Sequence, residues 1–384
     1  MAREFLVPPR VIWGKEALGA SAEYIRRMGK KALIVTGPHV AALGGVEALQ
    51  RELEKRGVSS SVFAGITGEP EDWMIDRGTE AYKKEACDFL IGFGGGSPLD
   101  SMKAIAVQAA GGKRAAEYYG KVIEEALPPM AAIPTTAGTG SETTQFTIIT
   151  DTEKGIKMLL KGPCLMPDLA VLDPALSESA PPSVTAATGL DALTHAAEAY
   201  TSKKAQPLAD TLALSAVKRI FAFLPEAYEN PGNDKAREEM ALAAFEAGAA
   251  FNNSSVTLIH GMSRPIGALF HVPHGVSNAM LLPDCFAYAL GGACVRFADM
   301  ARAAGLADSR DSDEEAAKNF LEGIRGLIRH CRIPTLEEFG VDKERFFGSM
   351  EKMAEDALAS GSPQNTRKSV DKDVILSLYR GLWE

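Results

Sequence analysis

Cysteine and histidine are scarce in this chain, with five and six among 384 residues. The cysteines, Cys87, Cys164, Cys285, Cys294 and Cys331, form no C-x-x-C pair. They are too sparse to frame a chain of this length and read as reduced core or surface thiols. No uninterrupted apolar run reaches the roughly 18 residues of a membrane span, and the opening Met1-Ala-Arg-Glu-Phe-Leu-Val-Pro-Pro-Arg10 has no apolar signal region. No membrane partner is expected, and the cytoplasm is the expected compartment. Runs of Lys and Arg are also lacking, and a net charge of -9 opposes the phosphate neutralisation that nucleic-acid binding requires. No nucleic-acid partner is expected. Neither an internal repeat nor a low-complexity tract occurs.

What remains is an ordinary globular composition, 46% apolar and 24% charged, in a chain long enough for two cores. In the first half, the apolar runs Lys31–Thr36, Cys87–Phe93 and Met130–Pro134 alternate with helical patterns and end in Gly, Pro or polar turns. Such alternation predicts a parallel sheet covered by helices. From about Ser183 onward the apolar spacing is helical, as in Asp191–Tyr200, Leu208–Phe223 and Ala236–Phe251. The Pro- and Ser-rich stretch Asp173–Ser183 sustains neither period and marks the boundary. The expected architecture is an α/β N-terminal nucleotide-binding domain, residues 1–180, followed by an all-α C-terminal domain, residues 181–384.

Phe89-Leu-Ile-Gly-Phe-Gly-Gly-Gly-Ser97 ends a strand in glycines, and Pro98–Val107 then reads as a helix. Free backbone N–H groups and the positive helix end would face whatever lies above Gly95 and Gly96, and a pyrophosphate fits there. The spacing is not the full G-x-G-x-x-G pattern. The segment also reads as plain helix capping, with Ser97 at the N-cap, Pro98 at the first helical position and Asp100 in a capping box. A second loop, Pro134-Thr-Thr-Ala-Gly-Thr-Gly-Ser-Glu142, follows another apolar strand and favours the phosphate reading.

Four of the six histidines, His195, His260, His271 and His274, fall within one eighty-residue part of the helical half. Asp191 and His195 stand at i, i+4, on one face of a helix. His260 lies in an apolar helical run and His274 in the turn Val272-Pro273-His274-Gly275. Three imidazoles and one carboxylate around a divalent ion would leave a position for a substrate oxygen. The alternatives are a surface ion pair for Asp191 with His195 and a satisfied core histidine for His260. The nitrogen and oxygen donors suit iron(II), zinc, manganese, cobalt or nickel without choosing among them.

At these residues the sequence resembles the iron-containing alcohol dehydrogenase family, over essentially the whole chain. The resemblance rests on Gly94-Gly-Gly-Ser-Pro-Leu-Asp100 with Lys103, on Pro134–Glu142, on Gly189-Leu-Asp-Ala-Leu-Thr-His195, and on His260-Gly-Met through Pro273-His-Gly275. It implies a dehydroquinate-synthase-like architecture with a metal, Fe2+ in the first instance, in the cleft between the domains. It implies that Asp191, His195, His260 and His274 hold that metal. It further implies that Gly95, Gly96 and Ser97 contact the pyrophosphate of NAD or NADP, with Asp100, Thr135, Thr136, Thr139, Ser141 and Lys157 completing the cofactor site. His271 is placed to approach nicotinamide or substrate and assist proton exit, or else to make a hydrogen bond behind the ligands. The expected activity is an alcohol dehydrogenase or aldehyde reductase acting on a small alcohol or aldehyde, in a homo-oligomer, most simply a dimer.

Two departures qualify the resemblance. Many members carry an Asp after the first strand where this chain has Gly37, and loss of that acid permits NADP(H). Many also carry a histidine where this chain has Arg264, whose guanidinium predicts a substrate bearing an anionic group, or else an acidic partner or a cofactor phosphate. The alternatives from other classes are a lyase resembling dehydroquinate synthase, which uses NAD and metal transiently, and a non-catalytic nucleotide-binding or filament-forming protein.

Overall fold

The computed structural model of the chain describes residues 2–383 and divides it between Ser179 and Ala180 into two units. The first, residues 6–179, contains eight strands: β1 (Val11–Trp13), β2 (Lys31–Val35), β3 (Ser59–Phe63), β4 (Phe89–Gly94), β5 (Met130–Pro134), β6 (Phe146–Asp151), β7 (Ile156–Lys161) and β8 (Leu169–Leu172). Six of them form a sheet in the order β1-β8-β5-β4-β2-β3, with every neighbouring pair parallel. The central strands read as continuous apolar runs because both faces are covered. Leu33, Val35, Leu90 and Ala132 pack on one face with the helices Asp72–Lys84 and Gly96–Gly111. Ile34, Ile91, Phe93 and Ile133 pack on the other with Ala17–Ile25 and Gly45–Glu54.

The winding decides where this unit can bind. The chain leaves β2 outward to β3, then returns to the opposite side of β2 as β4. The carboxyl ends of β2 and β4 therefore flank the point where winding reverses, which is where open α/β sheets take ligands. Gly37, the Gly94–Gly96 run and the Thr135-Thr136 pair follow the ends of β2, β4 and β5.

Two local features differ from the sequence reading. The strand expected from Cys87 begins at Phe89, because the Asp88 carboxylate accepts the backbone N–H groups of Lys30 (2.8 Å) and Lys31 (2.9 Å) and ties the start of β2. The antiparallel β6–β7 hairpin, turned at Gly155 with φ of 64°, was not marked by any apolar run, and it carries Lys157 opposite Thr150.

The second unit joins the N-terminal residues through Phe5 to everything from Ala180 onward. Arg3 Nη1 donates to the Ala205 carbonyl (3.1 Å) and Gln206 Nε2 to that of Glu4 (3.1 Å), so residues 3 and 4 associate with this unit. Its helices include Pro182–Thr201, Pro207–Glu229, Asp234–Asn252, Leu258–Phe270, His274–Ala303 and Asp313–His330. Pro182 and Pro207 open theirs at the first helical position, where a missing N–H costs nothing. The helix Pro182–Thr201 is buried at nearly every position, since four others pack around it and Ala186, Ala192, Ala196 and Ala197 let them approach. Polar groups it carries inward must therefore find partners within the protein. By length and mean hydropathy His274–Ala303 alone, among the described residues, could cross a membrane; it packs against Pro182–Thr201 and Asp313–His330 and is broken at Ala293, with φ of -147°. All five cysteines are free.

Candidate metal centre and nucleotide loops

Three helices of the second unit deliver one cluster. Asp191 and His195 project from consecutive turns of Pro182–Thr201, His260 lies in the first turn of Leu258–Phe270, and His274 opens His274–Ala303. Their ligand atoms lie within 4.8 Å of one another. Asp191 Oδ1 is the common neighbour, 3.9 Å from His195 Nδ1 and 3.8 Å from Nε2 of both His260 and His274. The first three residues are buried and His274 is partly exposed, so the cluster has one open side. The surface-ion-pair reading of Asp191 with His195 is thereby corrected, because both side chains are buried and face two further imidazoles.

Gly275 makes the approach possible. A Cβ there would sit 2.5 Å from the Ala187 carbonyl oxygen and 3.4 Å from Asp191 Cβ, so only glycine lets the start of His274–Ala303 lie against the helix bearing Asp191.

The electrostatics are those of a cation site. Burial works to raise the Asp191 carboxyl, yet attraction to His195, His274 and His260, with the Asn278 amide, outweighs it and holds the group below the usual range. His260 is pushed well below the ordinary imidazole range by burial and by repulsion from His195 and His274, against the pull of Asp191 and with a further push from Arg264. A neutral imidazole keeps a lone pair for a metal. Asn278 Nδ2 donates toward Asp191 Oδ1 (2.7 Å) and faces Nε2 of His260 and of His274 at 3.2 Å each. One amide has two N–H groups for these three acceptors. His195 Nδ1 is meanwhile buried without a hydrogen-bond partner. Acceptors converging in excess of donors fit a divalent cation held by one oxygen and three nitrogens.

Two residues of this centre escaped the sequence reading. Glu198, fully buried, sits 2.6 Å from His260 Nδ1, and Asn278 lies one turn beyond His274. The signal was present for both. Asp191, His195 and Glu198 recur at i, i+4, i+7, and His274 with Asn278 at i, i+4.

In the first unit, the helix Gly96–Gly111 has Gly95 at its N-cap and no side-chain cap. The capping reading of Ser97, Pro98 and Asp100 is thus corrected. Ser97 is the second helical residue, and the Asp100 carboxylate accepts Ser141 Oγ (2.6 Å) and the Ile148 N–H (2.8 Å) instead. The helix start is left available to an anion. A Cβ on Gly95 would make only an ordinary 3.4 Å contact with Thr136 Oγ1, whereas one on Gly96 would press to 2.9 Å from Thr139 Cγ2. Thr136 and Thr139 therefore line the same glycines, and Thr135 N–H bonds the Gly94 carbonyl at 2.9 Å.

Lys103 clamps the second loop. Its buried Nζ meets the carbonyls of Ser141 (2.6 Å), Thr144 (2.9 Å) and Phe146 (2.9 Å) and the Thr144 hydroxyl (2.9 Å). Burial pulls this ammonium down to about 8, which leaves it protonated at neutral pH. Asp100, on the same helix, holds the loop by accepting the Ser141 hydroxyl. Lys157 forms an ion pair with Glu69. Gly37 precedes the short helix Pro38–Ala41, and a Cβ on it would fall 2.8 Å from the Ile66 carbonyl oxygen. The absence of an acid there is thus enforced by packing between the ends of β2 and β3.

The remaining candidates lie on the helix Leu258–Phe270. Arg264 follows His260 by one turn and donates from Nη1 to Ser362 Oγ at 3.3 Å. His271 is exposed and ends the helix in the left-handed region, with φ of 55°, a conformation that costs a non-glycine residue free energy.

Residues 8–174 match the family described as "Iron-containing alcohol dehydrogenase", and residues 185–383 match "Fe-containing alcohol dehydrogenase family, C-terminal". The chain is 37% identical to the 1,3-propanediol dehydrogenase of Citrobacter freundii over 97% of its own length and 96% of that protein. It is 35% identical to the NAD-dependent methanol dehydrogenase of Bacillus methanolicus, covering 94% and 95%. Its structure matches that of an alcohol dehydrogenase from Oenococcus oeni with a TM-score of 0.95 at 32% identity, over 99% of this chain and 100% of the other. Agreement of this kind along nearly the full length leaves the lyase and non-catalytic alternatives unfavoured. The chain belongs to the iron-containing alcohol dehydrogenase family and is, with it, a metal-dependent, nicotinamide-linked oxidoreductase of alcohols and aldehydes.

Proposed function

We propose that this enzyme interconverts a small alcohol and its aldehyde with a divalent ion, iron(II) in the first instance, held by Asp191, His195, His260 and His274. The carrying observation is the convergence of one carboxylate and three imidazoles, on three helices, about a single point. When bound, the ion polarises the substrate oxygen and the nicotinamide gives or takes the hydride. The Gly95–Ser97 helix start and the threonines beside it orient the cofactor, while Asp100 and Lys103 hold those loops in place. His271, exposed where the two histidine-bearing helices meet, serves proton exchange with solvent. The test is the loss of reduced-nicotinamide absorbance on adding a panel of short aldehydes to anaerobic, iron-loaded enzyme. Sustained turnover is expected. A lyase would regenerate its NAD and show no net change.

On cofactor choice, the Bacillus methanolicus relative carries NAD in its name, whereas Gly37 presents no carboxylate to repel a ribose phosphate. We expect kcat/KM with NADPH at least equal to that with NADH. A strong preference for NADH would overturn this, and would direct attention to Glu69 as the ribose-binding acid. Gly37→Asp is a poor instrument here, since its Cβ would collide with the Ile66 carbonyl.

Arg264 supports a substrate bearing an acidic group, such as a semialdehyde or sulfonated aldehyde. Its charge is felt at His260, one turn away. A charge-assisted contact is worth roughly 1.5–3 kcal/mol, so Arg264→Ala should lower kcat/KM for an anionic aldehyde by about ten- to a hundredfold. Propanal and butanal should change far less. Equal losses for charged and neutral aldehydes, at constant metal content and cofactor affinity, would remove Arg264 from substrate recognition.

A further inference from the structure

A completely buried carboxylate needs partners, and Glu198 has four. Oε1 accepts the Ile259 N–H (2.7 Å) and the Thr257 hydroxyl (2.8 Å), and Oε2 accepts the Thr257 N–H (2.9 Å) and faces His260 Nδ1 at 2.6 Å. Thr257 is the N-cap of the helix Leu258–Phe270 and supplies no cap from its own side chain to that helix. Glu198 takes over that task from a different helix. It satisfies two orphan N–H groups at the positive helix end and fixes where the helix begins.

The same carboxylate determines the state of His260. Two of its partners are backbone N–H groups, which can only donate, so Glu198 presents acceptors on both oxygens. With the carboxyl ionised, the short contact to Nδ1 is a hydrogen bond donated by the imidazole. With its proton on Nδ1, a neutral His260 must carry its lone pair on Nε2, the atom that faces Asp191 Oδ1 at 3.8 Å. Ring position is set as well, because His260 is only two residues past the start of a helix that Glu198 anchors.

We infer that Glu198 is a positioning residue for the metal centre: one carboxylate caps the helix that carries His260 and locks that imidazole in the Nδ1–H form, so that Nε2 is presented to the ion. This rests on the four-residue metal assignment, and the experiment separates the two claims. Folded apoprotein is titrated with Co2+ in competition with a chromophoric chelator, for the wild type and for Glu198→Gln, Thr257→Val and His260→Gln. An amide at 198 must turn an NH2 toward one of its donors and no longer enforces the tautomer. Glu198→Gln should weaken Co2+ binding by about 10- to 100-fold, the usual effect of losing a partner behind a metal-bound histidine. Thr257→Val removes one hydrogen bond to the carboxylate and leaves the His260 contact, so it should lower apoprotein Tm yet bind Co2+ within about threefold of wild type.

If His260→Gln binds Co2+ as wild type does, the metal assignment itself falls. If His260→Gln loses the ion while Glu198→Gln retains wild-type affinity, the positioning role falls and the metal site stands. A second measurement needs no folded variant at position 198. In wild-type apoprotein labelled with 15N-histidine, six side chains give signals, and His260 is assigned by its absence in His260→Gln. The Nδ1–H tautomer is expected, and an Nε2–H tautomer would overturn the inference.

Discussion

Asp191→Ala is expected to reduce metal affinity by more than about a hundredfold and to leave turnover at a few per cent of wild type or less, because partners standing behind a ligand are already worth about 10–100-fold. Asp191 is the only carboxylate of the four and the atom from which the three imidazoles are measured, at 3.8–3.9 Å. Without it the Asn278 amide loses its shortest acceptor, and three imidazoles remain to bind a cation with no carboxylate among them. The apoprotein should survive, since the variant removes a buried charge rather than adding one. Metal content by elemental analysis, Co2+ titration and circular dichroism of the same preparation check this together. Full metal occupancy in folded Asp191→Ala protein would place the ion elsewhere.

Gly95→Ala should separate binding from folding in the nucleotide unit. Its Cβ would meet Thr136 Oγ1 at 3.4 Å, an ordinary contact, so Tm should change little. The methyl group would nonetheless stand over the N–H groups that begin the helix Gly96–Gly111, where a pyrophosphate must come within hydrogen-bonding distance. Losing one charge-assisted bond of roughly 1.5–3 kcal/mol predicts a cofactor Kd about ten- to a hundredfold higher. Quenching of protein fluorescence by NADH and NADPH gives Kd directly, without reference to metal or substrate. Unchanged Kd for both cofactors would mean that the glycines serve the turn alone. Gly96→Ala is the informative contrast, since its Cβ would press against Thr139 at 2.9 Å and should cost stability as well as binding.

What could be read along the chain were properties carried by short segments. The β-to-α alternation, the change to helical spacing after Ser183, the glycines behind β4 and the i, i+4 pair of Asp191 with His195 are all patterns within some twenty residues. Secondary structure and helix faces follow from such spacing because backbone geometry repeats locally. Even there, competing local chemistry was decided by distant groups. Ser97 could have capped its own helix, but Asp100, the other half of that capping box, is engaged by Ser141 and Ile148, some forty residues away in sequence.

The tertiary structure alone decided which separated residues meet. His260 and His274 could each have been core or turn histidines. Their convergence on Asp191 depends on three helices packing at one place, and on Gly275 having no side chain to hold them apart. Gly37 carried the opposite lesson: from sequence it marked a missing acid, but the nearby Ile66 carbonyl shows that no side chain fits there. Glu198 stands in helical register with Asp191 and His195, and Asn278 with His274, but helical spacing says which residues share a face and not what that face meets. A buried carboxylate acquires its meaning from its donors, and those of Glu198 lie 59 to 62 residues further along the chain.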